Sequence, residues 1–187
     1  MAKRQGFFIP LTMPLNYRRI QHQDDPALAF IKDMYESAFP EQERRQWASF
    51  TNLLNDPRMH ADAILDAEQV LGLLIWWKVN DFCFIEHFVI SSRVRGAGYG
   101  SEVIKHYVEK AQGKVLLEVE PAGTPDANRR ITFYERVGFK LVNVDYRQPS
   151  YVEKGLSFPM YLLQIGVKSE VEIAKLIPEI QSTVYFL

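Results

Sequence analysis

Cysteine is almost missing from this chain: 187 residues carry one, Cys83. A single thiol excludes an internal disulfide framework and fits a reducing compartment, so a cytoplasmic protein is expected. An excess of one charge is missing too. Lys and Arg number 22, Asp and Glu 23, and the net charge is −1. That leaves no general basic surface for nucleic acid or an anionic membrane. No apolar run has the length of a membrane span. His22, His60, His87 and His106 show no metal-ligand spacing with each other or with Cys83, so no metal is expected. Repeats and low-complexity segments are absent. Lys3 and Arg4 precede an apolar stretch, but Pro10 and Pro14 interrupt it and no small-x-small cleavage site follows. Residues 1–15 are therefore expected to be a tail rather than a signal peptide.

What is present suits one domain with a sizeable core: 47% apolar and 24% charged residues. Tyr17 to Gln21 reads as a short strand. Asp25-Pro26 opens a helix that Pro40 ends, with Leu28, Ile31, Tyr35 and Ala38 on one face. Glu41 to Asn55 predicts a second helix, with the Arg44-Arg45 pair on its solvated side. The acids at its start could attract an amine or could simply favour a helix N-terminus. Strands follow at Ala61 to Asp66, Val70 to Val79 and Phe82 to Ile90, an antiparallel meander with a turn at Asn80-Asp81. A helix over 101–111 crosses to a strand at Val115 to Glu120, which should run parallel to the 82–90 strand. Thr124-Pro125 caps a further helix that stops at Gly138. Lys140 to Tyr146 and Phe158 to Ile165 read as a closing antiparallel pair around a loop over 148–157. Residues 169–185 have helical spacing, and Pro178 predicts a kink or a break. This order gives an α/β (α+β) class: a mixed sheet with helices on its faces.

The most informative stretch is Arg95-Gly96-Ala97-Gly98-Tyr99-Gly100-Ser101. Its glycines join a strand to an amphipathic helix, where the backbone can approach a ligand and free N–H groups and the helix dipole favour phosphate. The spacing fits neither a dinucleotide fingerprint nor a P-loop. It fits Arg-x-x-Gly-x-Gly, read as Arg95, Gly98 and Gly100. Downstream, Asp126 to Phe139 reads Asp-Ala-Asn-Arg-Arg-Ile-Thr-Phe-Tyr-Glu-Arg-Val-Gly-Phe.

The two segments together resemble the acyl-CoA motifs of the GNAT superfamily of N-acyltransferases, over roughly residues 16–166. The resemblance implies a mostly antiparallel seven-stranded sheet, helices on both faces and a splayed parallel pair that forms a coenzyme cleft. Residues 167–187 would be a C-terminal helical extension covering the substrate side or a dimer face; a second copy of the chain is thus a candidate partner. The implied activity is acetyl transfer from acetyl-CoA, as cosubstrate, to a primary amine of a small molecule or peptide. The rival reading is a non-catalytic acyl-CoA-binding or regulatory module on the same fold.

Residue by residue, the resemblance assigns backbone groups of Phe88, Val89 and Ile90 to the pantetheine arm. It assigns the Gly96, Ala97, Gly98, Tyr99, Gly100 and Ser101 N–H groups to the pyrophosphate, with Arg95 adding charge or shaping the turn. The family's coenzyme-contacting asparagine stands one residue late here, at Asn128, about 100° around the helix. Tyr134 holds the position of the tyrosine that protonates the departing thiolate. For the base, alternation puts Phe84, Glu86, Phe88 and Ile90 on one strand face, and Cys83, Ile85, His87 and Val89 on the other. A charge in an apolar strand must be paired or face a wet cleft, which makes Glu86 the first candidate. Glu118, at a position where some family members place a base, is the second. Either could instead pair with an arginine such as Arg129 or Arg130. Cys83 and His87 are read as structural.

Overall fold

The computed structural model describes residues 14–166 and 169–185. The expected N-terminal tail therefore lies outside the described residues but for Pro14 and Leu15. Seven strands form one sheet: β1 (Asn16–Ile20), β2 (Met59–Asp66), β3 (Gln69–Val79), β4 (Phe82–Ile90), β5 (Val115–Val119), β6 (Lys140–Pro149) and β7 (Ser157–Ile165). Their order is β1-β2-β3-β4-β5-β7-β6. Only β4 and β5 are parallel neighbours, as the helix crossover between them requires. β7 runs antiparallel to both β5 and β6, so the last strand inserts between two earlier ones.

Side chains alternate off the sheet into two cores. On one face Leu73, Ile75 and Trp77 of β3 meet α1 (Leu28–Ala38), α2 (Trp47–Asn52) and α5 (Glu170–Ile180). On the other, Leu71 and Leu74 meet α3 (Tyr99–Lys110) and α4 (Pro125–Arg136). Thr124 caps α4, its Oγ1 accepting the Ala127 N–H at 3.1 Å. Ser169 and Glu172 form a reciprocal capping box on α5. The helix runs through Pro178 and ends in a wide turn over Gln181–Tyr185. Ile173, Leu176, Ile180 and Val184 of this C-terminal segment belong to the same core as α1.

Three expectations about elements need correction. The helix expected from Asp25-Pro26 starts at Leu28; Asp25 instead turns its carboxylate onto the Ala27 N–H and onto Arg18. The helix expected over 41–55 is broken. A single turn at Glu41–Glu43 gives way to extended backbone at Arg44, and α2 begins only at Trp47. Arg45 is no solvated side chain: it is 7% exposed, and its N–H donates to the Tyr35 hydroxyl at 3.0 Å. The break carries its guanidinium inward to a buried carboxylate, and that pairing prevails over helix propensity.

The third correction is parity along β4. Trp76 lies opposite Ile85 and Ile75 opposite His87, so Glu86 is an extra residue, a β-bulge. Past the bulge the alternation reverses. His87 packs between Tyr35 and Phe39 on the α1 side, while Phe88 and Ile90 turn to the α3 side. The expected grouping of Phe88 and Ile90 with Glu86, and of His87 with Cys83, does not hold.

Candidate active site

The bulge also opens the sheet. β4 and β5 pair from Cys83–Val115 to Ile85–Leu117 and no further. Beyond that point the strands part, and a cavity of about 690 Å³ occupies the gap. Its walls include Phe88, Val89 and Ile90 from β4, Glu118 from β5, and Arg95, Gly96, Gly98, Tyr99, Gly100 and Ser101 from the glycine loop. Tyr134 reaches it from α4, and Glu86 from the bulge. Most residues singled out in the sequence thus meet in one cleft. Ala97 and Asn128 do not line it.

At the loop end, Gly98 caps α3 with φ of 91°, a left-handed backbone that favours glycine. The N–H groups of Gly96, Gly98, Tyr99 and Gly100 donate to no backbone carbonyl among the described residues, whereas Ser101 N–H is engaged by the Gly98 carbonyl at 3.0 Å. The free donors and the start of a twelve-residue helix make an anion cradle. The Tyr99 side chain faces away from it: its hydroxyl donates to Asp66 at 3.0 Å and ties the loop to the end of β2. Asn128 is exposed, and its Oδ1 accepts the Gly123 N–H at 3.2 Å. That bond serves the loop ahead of α4, which is where the one-residue offset sends the side chain.

The two carboxylates differ sharply. Glu86 is fully engaged. Trp77 Nε1 donates to it at 2.5 Å and the Tyr151 hydroxyl at 2.6 Å, and Arg45 Nε lies 3.3 Å away. Burial disfavours its charge, but the Arg45 guanidinium and the two donors outweigh burial and hold the carboxyl below its usual range. Its partner is therefore Arg45, not Arg129 or Arg130, which pair with Asp126 and Glu120. Glu118 has no cation beside it among the described residues. The Tyr185 hydroxyl donates to its Oε1 at 2.5 Å, while Oε2 is buried without a partner. Burial, reinforced by the negative charges of Glu86 and Glu43, pushes the Glu118 carboxyl up to about 7 against the hydroxyls of Tyr185 and Tyr146.

Tyr134 is buried against Phe133 and Phe139, and burial moves its hydroxyl up to about 12, so it keeps its proton. Burial moves the Cys83 thiol up to about 12 as well, and Cys83 opens on a separate cavity of about 160 Å³. His87 is driven down to about 4, chiefly by burial, and is neutral.

Sequence reasoning missed Arg45, Tyr151 and Tyr185. Arg45 sat in a basic pair that reads as solvated. Tyr185 lies 67 residues from the carboxylate it holds, and no periodicity marks it.

Comparisons with known proteins agree with this fold. YjbC of Bacillus subtilis (strain 168), provisionally named an acetyltransferase, is 28% identical over 137 residues, 72% of this chain and 69% of that one. A provisionally assigned GNAT-family acetyltransferase from Bacteroides thetaiotaomicron superposes with a TM-score of 0.84 at 28% identity, over 92% of this chain and 99% of its own. A Bacillus subtilis acetyltransferase solved in complex with CoA shares the fold at 14% identity and a TM-score of 0.56, over 82% of this chain and 99% of its own. The Acetyltransferase (GNAT) family model matches residues 26–139, more than half of the sequence, and the chain belongs to the GNAT acetyltransferase family.

Proposed function

We propose that the protein transfers an acetyl group from acetyl-CoA to a primary amine by direct attack, with Glu118 as the base. The observation that carries this reading is the Glu118 carboxyl: buried in the split between β4 and β5, pushed up to about 7, and left with an unpartnered Oε2. A base poised near the working pH suits proton removal from an ammonium that is otherwise mostly charged. Glu86, held ionised by Arg45, instead fixes the bulge. In the reaction the amine nitrogen forms a bond to the thioester carbonyl carbon, its proton passes to Glu118, and the C–S bond breaks. The Tyr134 hydroxyl, protonated across the physiological range, donates to the sulfur as negative charge develops there. Free N–H groups of Gly96, Gly98, Tyr99 and Gly100 suit the pyrophosphate, and Arg95, exposed on the cavity wall, adds positive charge. Cys83 supports the sequential order, because a thiol kept neutral on another cavity makes no acyl-enzyme.

The test is kcat/KM against pH with acetyl-CoA and an accepted amine. Activity should rise through pH of about 7 as Glu118 ionises, and Glu118→Gln should lose that limb. Tyr134→Phe should lower kcat by about a hundredfold and leave acetyl-CoA affinity nearly unchanged. An unaltered acidic limb in Glu118→Gln removes Glu118 from the mechanism.

A further inference from the structure

The last described segment of the chain reaches back to the sheet and is anchored at several points. Ile173, Leu176, Ile180 and Val184 seat it in the core that α1 shares. Gln181 Nε2 donates to the Arg147 carbonyl at 3.1 Å, and Asn80 Nδ2 to the Glu179 carboxylate. Arg45 donates to the Val184 carbonyl. These anchors deliver Tyr185 to a fixed place beside Tyr151, with ring centroids 5.1 Å apart. Each of the two phenols serves one carboxylate. Tyr151 donates to Glu86 Oε1 at 2.6 Å, and Tyr185 to Glu118 Oε1 at 2.5 Å.

The two bonds carry different weight, because the carboxylates keep different company. Glu86 also has the Arg45 guanidinium and the Trp77 N–H. Among the described residues Glu118 has hydroxyls alone to favour its charge: Tyr185 and, from β6, Tyr146. Burial opposes that charge, as do Glu86 on β4 and Glu43 in the turn before α2. Leu162 stands opposite Glu118 on β7 and offers no charge. Tyr151 also feels Glu118 from the loop after β6, and burial keeps its phenol protonated. A hydroxyl donating to a carboxylate stabilises the ionised form, here by the equivalent of about one pH unit or more.

We propose that Tyr185 is a positioning residue for acetyl transfer: its hydroxyl orients Glu118 and stabilises the carboxylate form that removes the amine proton. The inference rests on the reading of Glu118 as base and assigns that base a partner from the segment after α5.

The test is Tyr185→Phe, which removes the hydroxyl and keeps the ring against Tyr151. The first measurement, melting temperature against pH, needs no substrate. Near pH 6 Glu118 holds its proton in the folded protein, so the variant should melt close to wild type. Glu118 titrates above its ordinary value, so its contribution to stability is lost as pH rises through the folded value. The loss is larger where that value is higher. The deficit of the variant should therefore widen between pH 6 and 9, by about 3–5 °C for one unit. In a Glu118→Gln background the same substitution should give a difference that does not vary with pH. The second measurement is kcat/KM against pH with acetyl-CoA and an accepted amine. The acidic limb should move up by about one unit. The variant should be about tenfold slower below the limb and should converge with wild type near pH 9. A purely structural loss would slow it alike at every pH. A melting deficit that is equal at every pH overturns the inference. So does failure of the variant to fold at pH 6, because the hydroxyl would then hold the structure rather than the ionisation. A widening deficit beside an unmoved limb removes Glu118 as the base, and the inference falls with that reading.

Discussion

Glu86 and Glu118 look into one cleft from neighbouring strands, and their surroundings drive them in opposite directions. A guanidinium and two hydrogen-bond donors make Glu86 a permanent anion. Glu118 has tyrosines and, among the described residues, no cation beside it, so its proton is loosely held near neutrality. Exchanging Glu86 for glutamine tests the distinction. The substitution keeps the shape but strands the Arg45 charge in the interior, and removing one partner of a buried pair costs about 3–5 kcal/mol. Glu86→Gln should lower the melting temperature by about 6–20 °C, what such a loss produces in a domain of this size. The acidic limb of its pH–rate profile should remain. A lost limb at an unchanged melting temperature would return the role of base to Glu86.

Among the elements, the glycine loop makes the sharpest demand on backbone. Gly98 sits at φ of 91°, and a Cβ built on it meets nothing within 4 Å. A Cβ there clashes with no atom of the described residues, though it strains the backbone by about 1–2 kcal/mol. Gly98→Glu should therefore fold, while its carboxylate competes for the free N–H groups at the start of α3. Acetyl-CoA affinity should fall at least tenfold, about 1.4 kcal/mol, by calorimetry. This loop was legible in the sequence because glycine spacing and a flanking strand and helix are local signals. Strand order up to β5 was legible for the same reason. The bulge was not. Phe82 to Ile90 is apolar on both faces apart from Glu86 and His87, so an inserted residue leaves no trace in the alternation. Nor was the break ahead of α2, which depends on a carboxylate 41 residues beyond Arg45 in the chain.

At the scale of the whole molecule, two buried groups pull the pH dependence of stability in opposite directions. His87 titrates at about 4 in the fold against an ordinary 6.5, so acidification through that interval favours the unfolded chain, which takes the proton first. Glu118 titrates at about 7 against an ordinary 4.5, so between those values the folded chain holds the extra proton and acidification favours it. From about pH 6.5 down to 4.5 the two nearly cancel. Glu118→Gln removes one side of the balance. Relative to wild type, its melting temperature should fall as pH drops over this interval, by an amount on the order of a few kcal/mol of stability. A difference between the two proteins that does not vary with pH would show that Glu118 is not raised. The contacts around these groups also bear on the order of events during synthesis. Arg45 grips the Val184 carbonyl across 139 residues, and Tyr185 follows with its hydroxyl on Glu118. A ribosome delivers α1, the glycine loop and every strand before it delivers that clasp. The nascent chain can assemble a sheet and the glycine loop while Arg45 and Glu118 still lack the two contacts made by Val184 and Tyr185. Among the described residues the two contacts on Arg45 and Glu118 are thus made after the whole sheet, by Val184 and Tyr185.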